Sequence, residues 1–229
     1  MTGAVPDELD AASLAAPAEL KGVRIHQGLL PPAAQAALLD DIRAVVRAAP
    51  LVRPVTPGGR AMSVRMTAAG EFGWITDRAG YRYERCHPSG VPWPPIPARV
   101  RAIWEAVAGT ARMAESGTVR APECCLVNWY ADGARMGLHQ DRDEGDFGCP
   151  VVSVSLGDDA LFRVGGTERR APTRSIWLRS GDVAVMGGAA RLAWHGVDRT
   201  RFASSSLLPD GGRINLTLRV VTPPDAGAA

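Results

Sequence analysis

The chain has almost no lysine: Lys21 stands alone, so nearly all of its 26 basic residues are arginine. Bulk charge says little, because 24 acidic residues hold the formal net charge to +2. A nucleic-acid footprint would have to come from arginines gathered on one face. Cysteines are few. Cys86, Cys124, Cys125 and Cys149 form no Cys-x-x-Cys pair, which removes the usual zinc spacing, and adjacent Cys124 and Cys125 point to opposite faces of a strand and cannot easily bridge. No apolar run approaches the length that spans a bilayer. The first twenty residues contain Asp7, Glu8, Asp10 and Glu19 but lack the basic start and apolar stretch of a secretory signal. Repeats and low-complexity tracts are missing too. The expectation is a soluble cytoplasmic protein with reduced thiols, no membrane association and a monomeric state.

What is present reads as one domain, since β-rich barrels and sandwiches commonly reach 229 residues around a single core. Residues 1–22 are Ala-rich and acidic, as loosely ordered tails often are. The domain is expected over 23–220, followed by a second tail at 221–229. A short strand fits Val23 to Leu29. Leu38, Leu39, Ile42, Val45 and Val46 recur at helical spacing between Pro31-Pro32 and Pro50. Residues 51–97 carry many Gly, Pro and aromatic residues and no long periodic element, which predicts a functional lid. A second helix fits Pro97 to Glu115. From Glu123 short strands follow one another, clearest at 151–156, 160–164, 175–178, 183–186 and 214–220, with Ser180-Gly181-Asp182 as a tight connection. The predicted class is mostly β with flanking helices, a double-stranded β-helix or jelly roll over 123–220.

The chemistry is carried by a few residues. His139 and Asp141 are two apart, so in extended backbone they project from one face and can grip one ion, with the distant His195 as a third ligand. Two imidazoles and one carboxylate on one face of an octahedron leave three positions open, which suits Fe(II) that must also hold a co-substrate and dioxygen. The competing reading is a structural histidine bonded to a nearby Asp, which a His-x-Asp alone does not exclude. The strand near the C-terminus shifts the balance. Arg213, Asn215, Thr217 and Arg219 share one face, while Ile214, Leu216, Leu218 and Val220 share the other. A half-buried strand with a solvated face is the bland alternative. Yet the two Arg Cα atoms are about 20 Å apart, so long side chains leaning inward could reach opposite ends of a short dianion. A guanidinium pairs bidentately with a carboxylate and stays charged when desolvated.

Taken together, Asn128-Trp129-Tyr130-Ala131-Asp132-Gly133, His139-Gln140-Asp141, His195 and Arg213-x-Asn215-x-Thr217-x-Arg219 closely resemble the AlkB family of Fe(II)- and 2-oxoglutarate-dependent dioxygenases. Val55-Thr56-Pro57-Gly58-Gly59, Gly73-Trp74, Gly80-Tyr81-Arg82-Tyr83 and Asp141-Arg142-Asp143-Glu144 add to the likeness, which runs from about Val23 to Val220. The resemblance implies Fe(II) held by His139, Asp141 and His195. It implies 2-oxoglutarate held by Asn128, Tyr130, Arg213, Asn215 and Arg219, with dioxygen as the second co-substrate. The implied substrates are N1-methyladenine and N3-methylcytosine in single- or double-stranded DNA, and RNA as a further candidate. Hydroxylation of the methyl group would release formaldehyde and restore the base, while 2-oxoglutarate yields succinate. A base inside a duplex cannot reach such a centre, so it must be extruded or already unpaired.

By the same resemblance Trp74 stacks on that base opposite His139, and Tyr81, Tyr83, Asp143, Arg169 and Thr56 contact the substrate. A tryptophan face and the Asp143 carboxylate would both favour a cationic lesion. Singly, each of these residues has an ordinary structural explanation. Met186 and Ala193 depart from the family, where larger aromatics are common, and this puts the pocket outline in doubt. Trp129 replaces a commoner Arg but should point away from the co-substrate. Two other classes stay open: a 2-oxoglutarate dioxygenase for a small molecule or protein side chain, and a non-catalytic binder of modified nucleic acid. The intact triad and Arg pair speak against the second.

Overall fold

The computed structural model describes residues 9–109 and 119–224. In chain order its elements are α1 (Ala11–Ala15), β1 (Ala18–Leu20), β2 (Val23–His26), α2 (Pro32–Ala48), β3 (Arg65–Gly70), β4 (Gly73–Asp77), β5 (Gly80–Glu84) and α3 (Ala98–Ala108). There follow β6 (Cys124–Tyr130), β7 (Met136–His139), β8 (Val151–Gly157), β9 (Asp159–Val164), β10 (Arg174–Leu178), β11 (Val183–Met186), a short 3-10 turn (Gly188–Ala190), β12 (His195–Arg201) and β13 (Arg213–Arg219). A seven-stranded sheet runs β1-β2-β11-β8-β13-β6-β3, and a four-stranded sheet runs β10-β9-β12-β7. All their pairings are antiparallel. This is the predicted jelly roll.

α2 begins at Pro32, where a missing N–H costs nothing, and turns Ala34, Leu38, Leu39, Ile42 and Val45 inward. α3 does the same with Val100, Ile103, Trp104 and Val107. Both helices cover the outer face of the large sheet, packing on Val127, Val154, Leu156, Leu216 and Leu218. Full burial of each such side chain contributes about 1.5–3 kcal/mol. The second helix is expected to reach Glu115; the part of that reading over 110–115 lies outside the described residues.

β13 lies between β6 and β8, with Arg213 opposite Tyr130 and Gly157, and Asn215 opposite Asn128 and Ser155. Every one of its residues is buried, so the solvated-face alternative is overturned: one face meets the helices and the other looks into the roll. Such a position forces a polar face to find partners inside the protein or in a ligand.

Two expectations need correction. Part of the supposedly loose stretch 1–22 is structured: Asp10 caps α1 by accepting from the Ser13 N–H at 2.6 Å, and β1 pairs along β2. Residues 1–8 lie outside the described residues. The tail read at 221–229 is anchored where it starts, because the Val221 and Thr222 amides each donate to Glu123 at 2.7 Å; residues 225–229 are outside the described set. Of the stretch 51–97, β3 is built into the large sheet beside β6, whereas β4 and β5 form a separate hairpin. Trp93 closes the base of that hairpin by donating its indole N–H to the Glu84 carbonyl at 2.9 Å, and a Cβ at Gly73 would collide with its ring.

Candidate metal centre and its cavity

β7 ends in His139, β12 begins in His195, and the two are paired residues of the small sheet. Asp141 follows β7 by two residues, so strand pairing alone brings all three together. Their ligand atoms lie within 4.8 Å of one another. His139 Nε2 is 3.8 Å from one Asp141 oxygen and His195 Nε2 is 3.7 Å from the other. Each imidazole is fixed in the same way: Nδ1 of His139 meets the Gly137 carbonyl and Nδ1 of His195 the Ala193 carbonyl, both at 2.9 Å. A carbonyl can only accept, so Nδ1 carries the proton and Nε2 presents its lone pair inward.

The electrostatics agree with this. Burial, reinforced by neighbouring His139, pushes the His195 pKa down to about 4, which keeps the ring neutral. Burial would raise the Asp141 carboxyl, but Arg219, and then His195 and His139, hold it well below the usual carboxylate range. Asp141 Oδ2 is buried with no hydrogen-bond partner. Two imidazoles and an ionised carboxylate with an unsatisfied oxygen are the donor set that Fe(II) takes in a facial triad.

Asp141 is held from behind. Arg219 donates to its Oδ1 at 2.8 Å, and Arg191 donates to its backbone carbonyl at 2.7 Å. Arg191 also donates to Glu144 at 3.1 Å and to the Cys149 carbonyl at 2.9 Å, tying the segment after Asp141 to the one before His195. Tyr83 donates its O–H to Glu144 and accepts from Arg219 at 3.2 Å. Burial keeps that phenol protonated by raising its pKa well above the ordinary value.

A cavity of about 530 Å³ opens over the triad, a size that suits a small organic ligand. Asn128, Tyr130, Arg213, Asn215 and Arg219 line it together with the triad. Arg213 is 1% exposed, yet its Nε and Nη1 have no hydrogen-bond partner; only Nη2 is used, by the Ser155 hydroxyl at 2.9 Å. An unpartnered buried guanidinium on a cavity wall calls for an anion. The Tyr130 ring lies beside it, 5.3 Å from Cζ. Asn215 is less free than expected: its amide donates to the Ser153 hydroxyl at 2.7 Å and to the Val154 carbonyl at 3.1 Å, and its oxygen accepts from Thr217. These residues fit a keto diacid lying between Arg213 and the triad.

A family model for the 2OG-Fe(II) oxygenase superfamily matches residues 22–219. The chain belongs to this superfamily. It is 51% identical over 199 residues to an alpha-ketoglutarate-dependent dioxygenase AlkB homolog of Caulobacter vibrioides, covering 86% of this chain and 87% of that protein. It is 42% identical over 183 residues to the AlkB dioxygenase of Escherichia coli, covering 80% and 82%. The solved structure of OsALKBH1 superposes with a TM-score of 0.73 at 29% identity, across 90% of this chain and all of that one. The protein is therefore an Fe(II)- and 2-oxoglutarate-dependent dioxygenase. No helix among the described residues is long and apolar enough to cross a membrane.

At the mouth of the dioxygenase cavity stand Trp74, Tyr81, Asp143 and Thr56. Trp74 is not a bare platform: Tyr81 stacks on it at 5.5 Å with an 18° interplanar angle, and its indole N–H donates to Asp143 at 2.8 Å. Two expected substrate residues are placed elsewhere. Tyr83 is absent from the cavity wall and sits behind the metal centre, while exposed Arg169 rests on the Trp194 ring at 5.5 Å. Met186 lines the cavity, whereas Ala193 is packed in the core, so only the first departure reshapes the pocket. Trp129 points outward, as alternation required. Sequence reasoning missed Trp194, which lines the cavity, and Glu144 and Arg191, which are paired 47 residues apart. Asp143-Glu144 was visible as a motif, but nothing local marked Glu144 as the buried member.

Proposed function

We infer that this dioxygenase removes methyl groups from alkylated nucleic-acid bases, N1-methyladenine and N3-methylcytosine, in DNA, with RNA as a further candidate substrate. The observation that carries the reading is one cavity with the metal triad at its floor and a stacked Trp74–Tyr81 pair beside Asp143 at its mouth. Relatives named as AlkB dioxygenases, as a DNA N(6)-methyladenine demethylase and as a nucleic acid dioxygenase support it. Bound Fe(II), with 2-oxoglutarate and dioxygen, supplies the oxidising power, giving succinate, carbon dioxide and a hydroxymethyl group that leaves as formaldehyde.

The chain's own part is placement. His139, Asp141 and His195 would hold the ion, each imidazole offering its Nε2 because its Nδ1 faces a backbone carbonyl. Arg213 and Tyr130 would take one carboxylate of the diacid, with Asn128, Asn215 and Arg219 as further donors on the same cavity wall. Trp74 and Tyr81 offer aromatic surface to an extruded base; such stacking contributes about 1–3 kcal/mol per base. Asp143 adds a carboxylate that prefers a cationic base to a neutral one. The protein is expected to act as a cytoplasmic monomer.

The test is formaldehyde and succinate release from methylated and unmethylated oligonucleotides, after anaerobic loading with Fe(II) and 2-oxoglutarate. Methyl-dependent formaldehyde should appear with wild type and fall to background in Asp141→Ala. A wild-type protein that turns over 2-oxoglutarate but ignores every methylated oligonucleotide would place it among dioxygenases of small molecules or protein side chains.

A further inference from the structure

The hairpin at the cavity mouth is bolted to the metal centre by two bonds. Trp74 and Tyr83 are cross-strand partners in β4 and β5, so their side chains share one face of the hairpin. Their polar tips reach consecutive residues of the segment that starts at Asp141: Trp74 donates to Asp143 and Tyr83 donates to Glu144. Glu144 lies 3.5 Å from Arg219 Nε, and Arg219 holds both Tyr83 and the iron ligand Asp141. Glu144 already has Arg191 at 3.1 Å and Arg219 as counter-charges, so the phenol is not needed to neutralise it. What Tyr83 adds is a link to the hairpin.

We propose that Tyr83 is a positioning residue that couples base stacking at Trp74 to the placement of the iron ligand Asp141, by way of Glu144 and Arg219. The proposal rests on the dealkylation reading. A base drawn against Trp74 loads the hairpin, and the hairpin is joined to Arg219 through the Tyr83 hydroxyl. Coupling of this kind is reciprocal, so a methylated base must tighten the metal site by the factor by which the metal tightens base binding. It would also restrain turnover of 2-oxoglutarate when no base is present.

The experiment uses Co(II) in place of Fe(II), with 2-oxoglutarate, so that no turnover occurs. Co(II) affinity is read from its visible absorption with and without a methylated oligonucleotide, in wild type, Tyr83→Phe and Trp74→Phe. The last variant keeps a ring but loses the N–H that reaches Asp143. In wild type the methylated strand should tighten Co(II) about fivefold or more, the lower end of ordinary coupling between sites. In both variants that factor should fall toward one, and with Fe(II) in air the ratio of succinate to formaldehyde should rise. Thermal melting of each variant identifies a folding failure, in which case the other variant decides. A wild-type factor retained in a folded Tyr83→Phe overturns the proposal. Wild type that releases formaldehyde but shows no factor overturns the coupling and leaves dealkylation standing; wild type that releases none from any methylated strand overturns dealkylation, and the coupling with it.

Discussion

The two ends of β13 carry the same side chain in opposite conditions. Arg219 is charge-paired on every side: its terminal nitrogens donate to Asp141 and Tyr83, and Glu144 lies 3.5 Å from Nε, which makes no hydrogen bond. Arg213, six residues away on the same face, has one serine hydroxyl and two unpartnered nitrogens. A buried cation paired within the fold is part of the scaffold, whereas one left with open donors is a receptor for something that arrives later. The pair therefore does not simply bracket a dianion, as their spacing alone had suggested. One end holds Asp141, and the other keeps donors open to an anion.

Exchanging each arginine for methionine separates the two roles. Arg219→Met leaves Asp141 and Glu144 buried with less compensation and should cost about 3–5 kcal/mol of stability, read by denaturant unfolding of the metal-free protein. Arg213→Met removes a guanidinium with open donors and should leave the metal-free protein at least as stable. Its loss appears instead as a rise in the KM for 2-oxoglutarate of roughly thirtyfold, about 2 kcal/mol, in single-turnover and steady-state assays. Equal destabilisation by both substitutions would erase the distinction.

Acidity sharpens it further at the metal end. Folded His195 titrates near 4 and an unfolded histidine near 6.5, so between these values the unfolded chain binds a proton that the folded chain refuses. Stability of the metal-free protein should fall as pH drops from about 6.5 to about 4 and lose that slope below. His195→Gln should flatten the slope in pH-dependent melts. The smallest effect belongs to Ser155→Ala, which removes the hydroxyl that accepts from Arg213 Nη2. It should raise the KM for 2-oxoglutarate only several-fold, near 1 kcal/mol.

How much of this was readable beforehand depended on the period of the signal. His139-x-Asp141 and the alternation along β13 are local patterns, and both lead straight to the cavity. The outer jelly-roll strands and α2 follow from equally local periodicity. The Arg191–Glu144 pair spans 47 residues with no periodic trace, so only the folded chain brings it into view. α1 and β1 were missed because five and three residues carry too little local preference. They are fixed by tertiary bonds such as the Asp10 amide to the Leu29 carbonyl at 2.9 Å. Tyr83 was expected at the substrate, but alternation along a hairpin does not say which partner lies beneath it, and its hydroxyl meets Glu144 and Arg219.

The carbonyl clamps on His139 and His195 have one more consequence. Because each ring is oriented by its own chain two residues upstream, the cage is complete once the protein has folded and requires nothing of the ion. A ready-made nest of nitrogen and oxygen donors discriminates poorly among first-row divalent ions, and copper, nickel and zinc all outrank iron in intrinsic affinity. Purified protein should thus carry whichever metal its growth medium or affinity resin supplied, and its specific activity will track how thoroughly that intruder is stripped before iron is restored.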